Sequence, residues 1–373
     1  MSFRRSATAL AGSLLTVLTA LVVAGTAAPA LAAGTTQLPA PAGRGVYVGG
    51  GAIDKLDTFN AWSGQKANFV LDYLPRDTWA DIESPTWFTS QWQQRDASLV
   101  LGVPMLLEGT TVTTLQAGAA GDYNSHFVKL AQTLVSTGYS SASLRVGWEM
   151  NGDWYKWSAV KDPTAWKAYF RNIVGALRSV PGQHFTIDWT INLGDSAMPA
   201  ENAYPGDDVV DYVGVDAYDW KWGDSTITPS ARWQWMLDQG HGLNWVSSFA
   251  AAHGKQITVP EWGLSPRAAM QNGGGGDDPD FVRSMFAWTA AHHTAYQCYY
   301  DVDTFRIDGG AYPNAGAAYQ SAVAANAAPV SAPVTVVTKH TGPKKLTVRS
   351  NLRTVLHANG VWFADMTRRV LSF

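Results

Sequence analysis

Arg145-Val146-Gly147-Trp148-Glu149-Met150-Asn151-Gly152-Asp153-Trp154-Tyr155-Lys156-Trp157 is the stretch on which the reading of this chain turns. A short apolar run with strand character, Ala142 to Trp148, delivers a carboxylate, Glu149, at its end, and Asn, Gly, Trp and Tyr follow at once. Aromatic neighbours desolvate the charged form of a carboxylic acid and so preserve its proton near neutral pH, and flat rings are also platforms for sugar rings. A single glutamate in such a place is more often a solvated loop residue than a functional one. A second signal shifts that balance. Lys255-Gln256-Ile257-Thr258-Val259-Pro260-Glu261-Trp262-Gly263 repeats the arrangement: a β-rich run, a Glu at its end, then Trp and Gly.

Working outward from these two runs, short β-rich segments recur near 44–49, 68–73, 99–107, 142–148, 184–191, 210–217, 256–261 and 295–300. Helices fit between them at 122–137, 163–179, 240–253 and 279–292, where Asp162-Pro163 and Asp278-Pro279 each read as an N-cap followed by proline at the first helical position. The helices of the first and fifth connections are poorly marked. Strands alternating with helices imply a parallel sheet, and eight such units predict a closed (β/α)8 TIM barrel over residues 44–325. That fold gathers chemistry at the carboxyl ends of its strands. Glu149 then ends the fourth strand and Glu261 the seventh, with Asp72, Tyr73, Glu108, Asn192, Asp216, Tyr218, Tyr300 and Asp301 at other strand ends. Arg145, late in its strand, must be paired if it is buried, and is expected to orient a catalytic carboxylate.

The rest of the chain bounds the function class. Aromatic residues make up 12% of 373 residues, with 17 Trp, against 15% charged, a composition that suits flat, weakly polar ligands better than nucleic acid. Residues 1–32 read as a secretory signal, with Arg4-Arg5, an apolar stretch from Ala9 to Val23, and Ala30-Leu31-Ala32 as a cleavage site. A secreted, extracellular product is expected, with a flexible lead-in at 33–43 and no membrane contact after cleavage. The one cysteine, Cys298, has apolar and aromatic neighbours that suggest a buried thiol. Residues 326–373 carry seven Lys or Arg against one Asp, whereas residues 33–325 carry 18 against 29; the former read as a linker and a basic tail or small β-module. His292-His293 is a poor metal pair, Gly49-Gly50-Gly51 lacks a nucleotide-binding spacing, and Gly273 to Gly276 reads as a flexible strand-to-helix loop. No cofactor and no metal are expected.

The three runs Arg145 to Trp157, Tyr204 to Tyr218 and Val259 to Gly263 resemble, in that order, the acid/base segment, sixth strand and nucleophile strand of glycoside hydrolase family 26, the β-mannanase family. The resemblance implies Glu149 as general acid/base, Glu261 as nucleophile, Trp154 lining the sugar site, and Tyr218 hydrogen-bonding the nucleophile. Trp148, Asn151, Trp157, Trp220, Trp262, Arg145 and Asp216 complete the expected substrate-binding set. One residue departs: the family usually has His immediately before the acid, and here Trp148 stands there. Fold and mechanism survive that change better than sugar identity. The expectation is a retaining endo-glycosidase, acting on β-1,4-mannan or on another glycan such as a β-glucan or exopolysaccharide, with carboxyl groups about 5–5.5 Å apart. A non-catalytic glycan-binding barrel is the alternative from another class.

Overall fold

In the structure, a computed structural model, residues 43–93 and 95–327 are described. Eight strands close a barrel in sequence order: β1 Gly43–Tyr47, β2 Phe69–Tyr73, β3 Ser98–Val103, β4 Ser143–Val146, β5 Thr186–Asn192, β6 Tyr212–Tyr218, β7 Gln256–Gly263 and β8 Tyr296–Tyr300. Every neighbour is parallel, including the closing pair β1 and β8. The predicted (β/α)8 barrel and its eight strands are therefore present. The helices are α1 Ile53–Ser63, α2 Trp79–Glu83, α3 Thr86–Trp92, α4 Leu115–Ala120, α5 Asn124–Ser136, α6 Pro163–Arg178, α7 Pro229–Asp238, α8 Leu243–Ala252, α9 Ala269–Asn272, α10 Pro279–Ala291 and α11 Pro313–Ala327.

Capping follows the sequence. Asp162 accepts from the Ala165 amide and Asp278 from the amides of Asp280 and Phe281, each ahead of a proline at the first helical position, so orphan donors are satisfied where proline has none to offer. The first connection, poorly marked in sequence, carries the eleven-residue helix α1, ended by Gly64 in a left-handed conformation. The fifth has only a 3-10 turn, Ala200–Ala203. The alanine-rich α11 runs through the expected barrel limit at 325 to Ala327; the signal segment, the lead-in and most of the basic tail lie outside the described residues.

Strand side chains alternate between two environments, as a period of two requires. One set packs outward against the helices; Trp166, Tyr169, Phe170, Ile173 and Leu177 of α6 are buried there. The other fills the barrel, where Leu71, Val100, Tyr296 and Cys298 form a separate apolar cluster. The barrel interior also holds Asp188, which accepts from Thr190, Thr258 and Tyr296.

On β7 the alternation slips. Thr258 pairs in register with Gly214, but the next pair is Asp216 with Glu261, so three steps on β7 match two on β6; the ladder to β8 slips the same way between Val259 and Trp262. Pro260, which has no N–H for a ladder, sits inside the slip. The bulge turns Glu261 to the interior face that Thr258 already occupies, and puts Trp262 outward against Phe281, Phe286 and Tyr319.

The stretch Gly273 to Gly276 is buried and tightly packed, contrary to the flexible loop expected. A Cβ on Gly274 would lie 1.9 Å from the Pro266 carbonyl oxygen, and one on Gly275 1.7 Å from an Asp219 carboxylate oxygen. Glycine is needed here for close approach of backbone, a role that mimics a loop signal in sequence.

Candidate active site

Glu149 is placed by the way β4 ends. The Gly147 amide still pairs with the Val103 carbonyl of β3, the Glu149 amide pairs with the Thr190 carbonyl of β5, and both residues have positive φ, 56° and 53°. A left-handed glutamate is uncommon and is held here by hydrogen bonds on both flanks. Its carboxylate accepts from Asn192 Nδ2 at 2.9 Å and from Trp154 Nε1 at 2.9 Å, and the residue is 8% exposed. Burial, and then the charge of Glu261, push its pKa up to about 7, against the opposing pull of Asn192, Trp154 and Arg145.

Glu261 sees a different environment. Its Oε1 accepts from Arg145 at 2.9 Å and from the Tyr73 hydroxyl, and its Oε2 accepts from the Tyr218 hydroxyl at 2.8 Å. Three converging donors suit an acceptor-only carboxylate. Arg145, wholly buried, divides its guanidinium between Glu261 and Asp216, with Thr190 and Tyr73 as further acceptors. Removing one partner of such a buried set costs about 3–5 kcal/mol, because a charge is left uncompensated.

The other expected residues divide by exposure. Trp154 is half exposed, and its ring lies so close over Gly152 that a Cβ there would fall 2.2–2.4 Å from ring carbons. Trp220 stacks on Tyr218, with ring centroids 4.8 Å apart, and both help line a small cleft with Asn192, Asp216 and Gln239. Four residues of the expected substrate set are buried. Trp148, Asn151, Trp157 and Trp262 are at most 1% exposed and stand behind the site. Trp148 donates to the Tyr155 hydroxyl, Trp157 to the Trp148 carbonyl, and Trp262 to Gln297. Asn151 pairs with the backbone of Asn192 in both directions and so positions the residue that donates to Glu149. Asp216 and Arg145 likewise act from beneath, as an ion pair.

Tyr73 and Asn192, which sequence reasoning left outside its substrate set, each touch one of the two carboxylates. Their signal was their place at strand ends, which eight other polar or aromatic residues shared. Tyr47 and Tyr300 also converge there, each 5.0 Å from another ring of the group. Among the described residues no cluster of three or more His, Cys, Asp or Glu is placed to hold a metal ion, and His292 is bonded to the Trp288 carbonyl.

Fold and site together define a (β/α)8 barrel with two glutamates at its carboxyl rim. The resemblance to glycoside hydrolase family 26 is met by the family model for glycosyl hydrolase family 26, which matches residues 141–234. A mannan endo-1,4-beta-mannosidase of Bifidobacterium adolescentis is 30% identical over 191 residues, 48% of this chain and 18% of that protein. Endoglucanase H of Acetivibrio thermocellus is 29% identical over 123 residues, 31% of this chain and 13% of that protein. The chain thus spans less than a fifth of the length of either relative. Among solved structures, a mannanase of Bacillus subtilis superposes with a TM-score of 0.54 at 16% identity, over 75% of this chain and 85% of that one, which bears on the fold alone.

Proposed function

We propose that this chain is a secreted endo-glycosidase that hydrolyses a β-linked polysaccharide, β-1,4-mannan first, with retention of configuration. The observation that carries the proposal is the contrast between the two rim glutamates. Glu149 is desolvated and raised toward neutrality, as a proton donor must be, whereas Glu261 sits under three donors. Glu261 attacks the anomeric carbon while Glu149 protonates the departing oxygen, giving a covalent glycosyl-enzyme. Bonding to sugar removes the Glu261 charge, so Glu149 loses part of what raised it and can accept a proton from water in the second step. Export by residues 1–32 belongs to the same proposal.

A second glycan class has a specific basis. One relative is an endoglucanase by name, and where the family motif has histidine this chain has Trp148, which packs behind the site against Tyr73 and Tyr155. The deciding experiment is product release from mannan, glucomannan, β-glucan, xylan, arabinan and bacterial exopolysaccharide by wild type and Glu261→Ala. Oligosaccharides from one polymer with wild type alone identify the substrate. Binding of a polymer by both forms without cleavage replaces hydrolysis by glycan binding. Glu149→Ala is expected to spare substrates with activated leaving groups far more than natural ones; equal, complete loss on both removes Glu149 from the acid role.

A further inference from the structure

Among the described residues Trp87, Val112, Trp154 and Trp222 are strongly exposed large apolar side chains, at 53, 81, 51 and 64%. All four lie in connections that leave the carboxyl ends of strands, and three are indoles. Single exposed apolar side chains are ordinary on a protein surface, but indoles at the mouth of a barrel offer the flat faces on which sugar rings stack. Trp154 already belongs to the acid. Trp87, on α3, reaches back to the strand mouths: a Cβ on Gly50 would be 3.5 Å from its ring and 3.6 Å from the carboxylate of Asp72 on β2. Trp222 follows β6 by four residues, and its neighbours Lys221 and Gly223 are tied by backbone hydrogen bonds to Gly273 and Met270 of the β7 connection.

In a ring of eight strands taken in order, β2 and β6 are diametrically opposed. A line across the mouth from one to the other leaves β3, β4 and β5 on one side and β7, β8 and β1 on the other. Glu149, on β4, and Glu261, on β7, fall on opposite sides of it. Attack and protonation come from different sides of a sugar chain, so a chain laid along this line presents one of its linkages to both groups.

We infer that Trp87 and Trp222 are the outer stacking platforms of one extended glycan-binding cleft, which runs across the barrel mouth from the β2 side to the β6 side. The inference rests on the proposed glycosidase function and adds that sugars well beyond the cleaved linkage are held, which gives internal cleavage of long chains. Val112, apolar without a flat face, takes no part.

The test is the chain-length dependence of kcat/KM on β-1,4-manno-oligosaccharides of three to six units, for wild type, Trp87→Ala, Trp222→Ala and the control Val112→Ala. With the hexaose, each tryptophan variant is expected to lose about tenfold, the worth of one aromatic platform, and the loss is expected to shrink as the substrate shortens. Val112→Ala is expected to match wild type at every length. A loss equal at all lengths, or none, overturns the inference while leaving the mannanase reading intact. If wild type cuts none of the series, the mannan reading fails, and the platforms are judged by calorimetric titration with mannohexaose and cellohexaose against the trioses. Hexaose binding that is tighter than triose binding and about tenfold weaker in both tryptophan variants sustains them. Equal binding at both lengths, or no binding, overturns them.

Discussion

Glu149 carries a pH dependence whose sign follows from its environment. The donor form is the protonated one, so kcat/KM is expected to fall as pH rises through about 7, the value to which burial and Glu261 raise the group. The same shift bears on stability. With the folded pKa above the unfolded one, the contribution is complete below the unfolded value and is lost as pH rises through the folded value. Comparing urea denaturation of wild type and Glu149→Gln at pH 4 and pH 8 is expected to show roughly 3 kcal/mol moving in favour of the variant. Asn192→Ala takes away a donor that favours the charged form, so the alkaline limb of the rate profile is expected at higher pH than in wild type. An unmoved limb would detach Asn192 from the acid. The two glutamates were legible because each ends a β-rich run beside aromatics. The roles of Tyr73 and Asn192 were not, because they depend on strands β2 and β5 closing beside β7 and β4, and no local pattern records that adjacency.

At the level of elements, the exit of β4 and the bulge of β7 do most of the positioning. Gly152→Ala is expected to displace the Trp154 ring and reduce activity by roughly tenfold or more, with a small change in Tm because that ring is half exposed. Gly275→Ala is expected to do the reverse. Its Cβ would meet the buried Asp219–Arg232 ion pair, so a loss of about 1–3 kcal/mol is expected in denaturant titration. Helices α6 and α10 were read nearly to the residue because an Asp-Pro cap precedes an amphipathic run. Helices α1, α7 and α11 were not, since α1 has no side-chain cap and α11 is rich in alanine with little contrast between its faces. Three of the buried members of the expected substrate set are indoles. Trp148, Trp157 and Trp262 have the composition of a sugar platform but are used for packing, a distinction set by tertiary neighbours.

For the molecule as a whole, the interior of the barrel is bound together by charge as well as by apolar contact. Asp188 accepts from Thr190 on its own strand, from Thr258 on β7 and from Tyr296 on β8, and Thr190 in turn meets Arg145 on β4. Asp188→Ala is expected to leave these donors buried without an acceptor and to cost about 3–5 kcal/mol, lowering Tm by roughly 10 °C in scanning calorimetry. Asp188→Asn, which retains one acceptor, should lose less. The barrel was visible in the sequence because eight β-rich segments recur at a spacing that leaves room for crossovers, even where the crossover helix itself was faint or, after β5, reduced to a single turn. The direction of the β7 side chains was hidden, because a bulge changes which residues share a face without changing composition.

Cys298 is the chain's single cysteine, wholly enclosed beside Leu71, Val100 and Tyr296, with burial pushing its thiol up. Maleimide and disulfide reagents act on exposed thiolates, so the folded protein presents them with nothing to modify. A cysteine introduced on the rim, such as Asp153→Cys, would therefore be the sole labelling position without any change to the native thiol. A fluorophore or spin label placed there would report, in real time, whether a glycan arrives beside Trp154 as the proposed function requires.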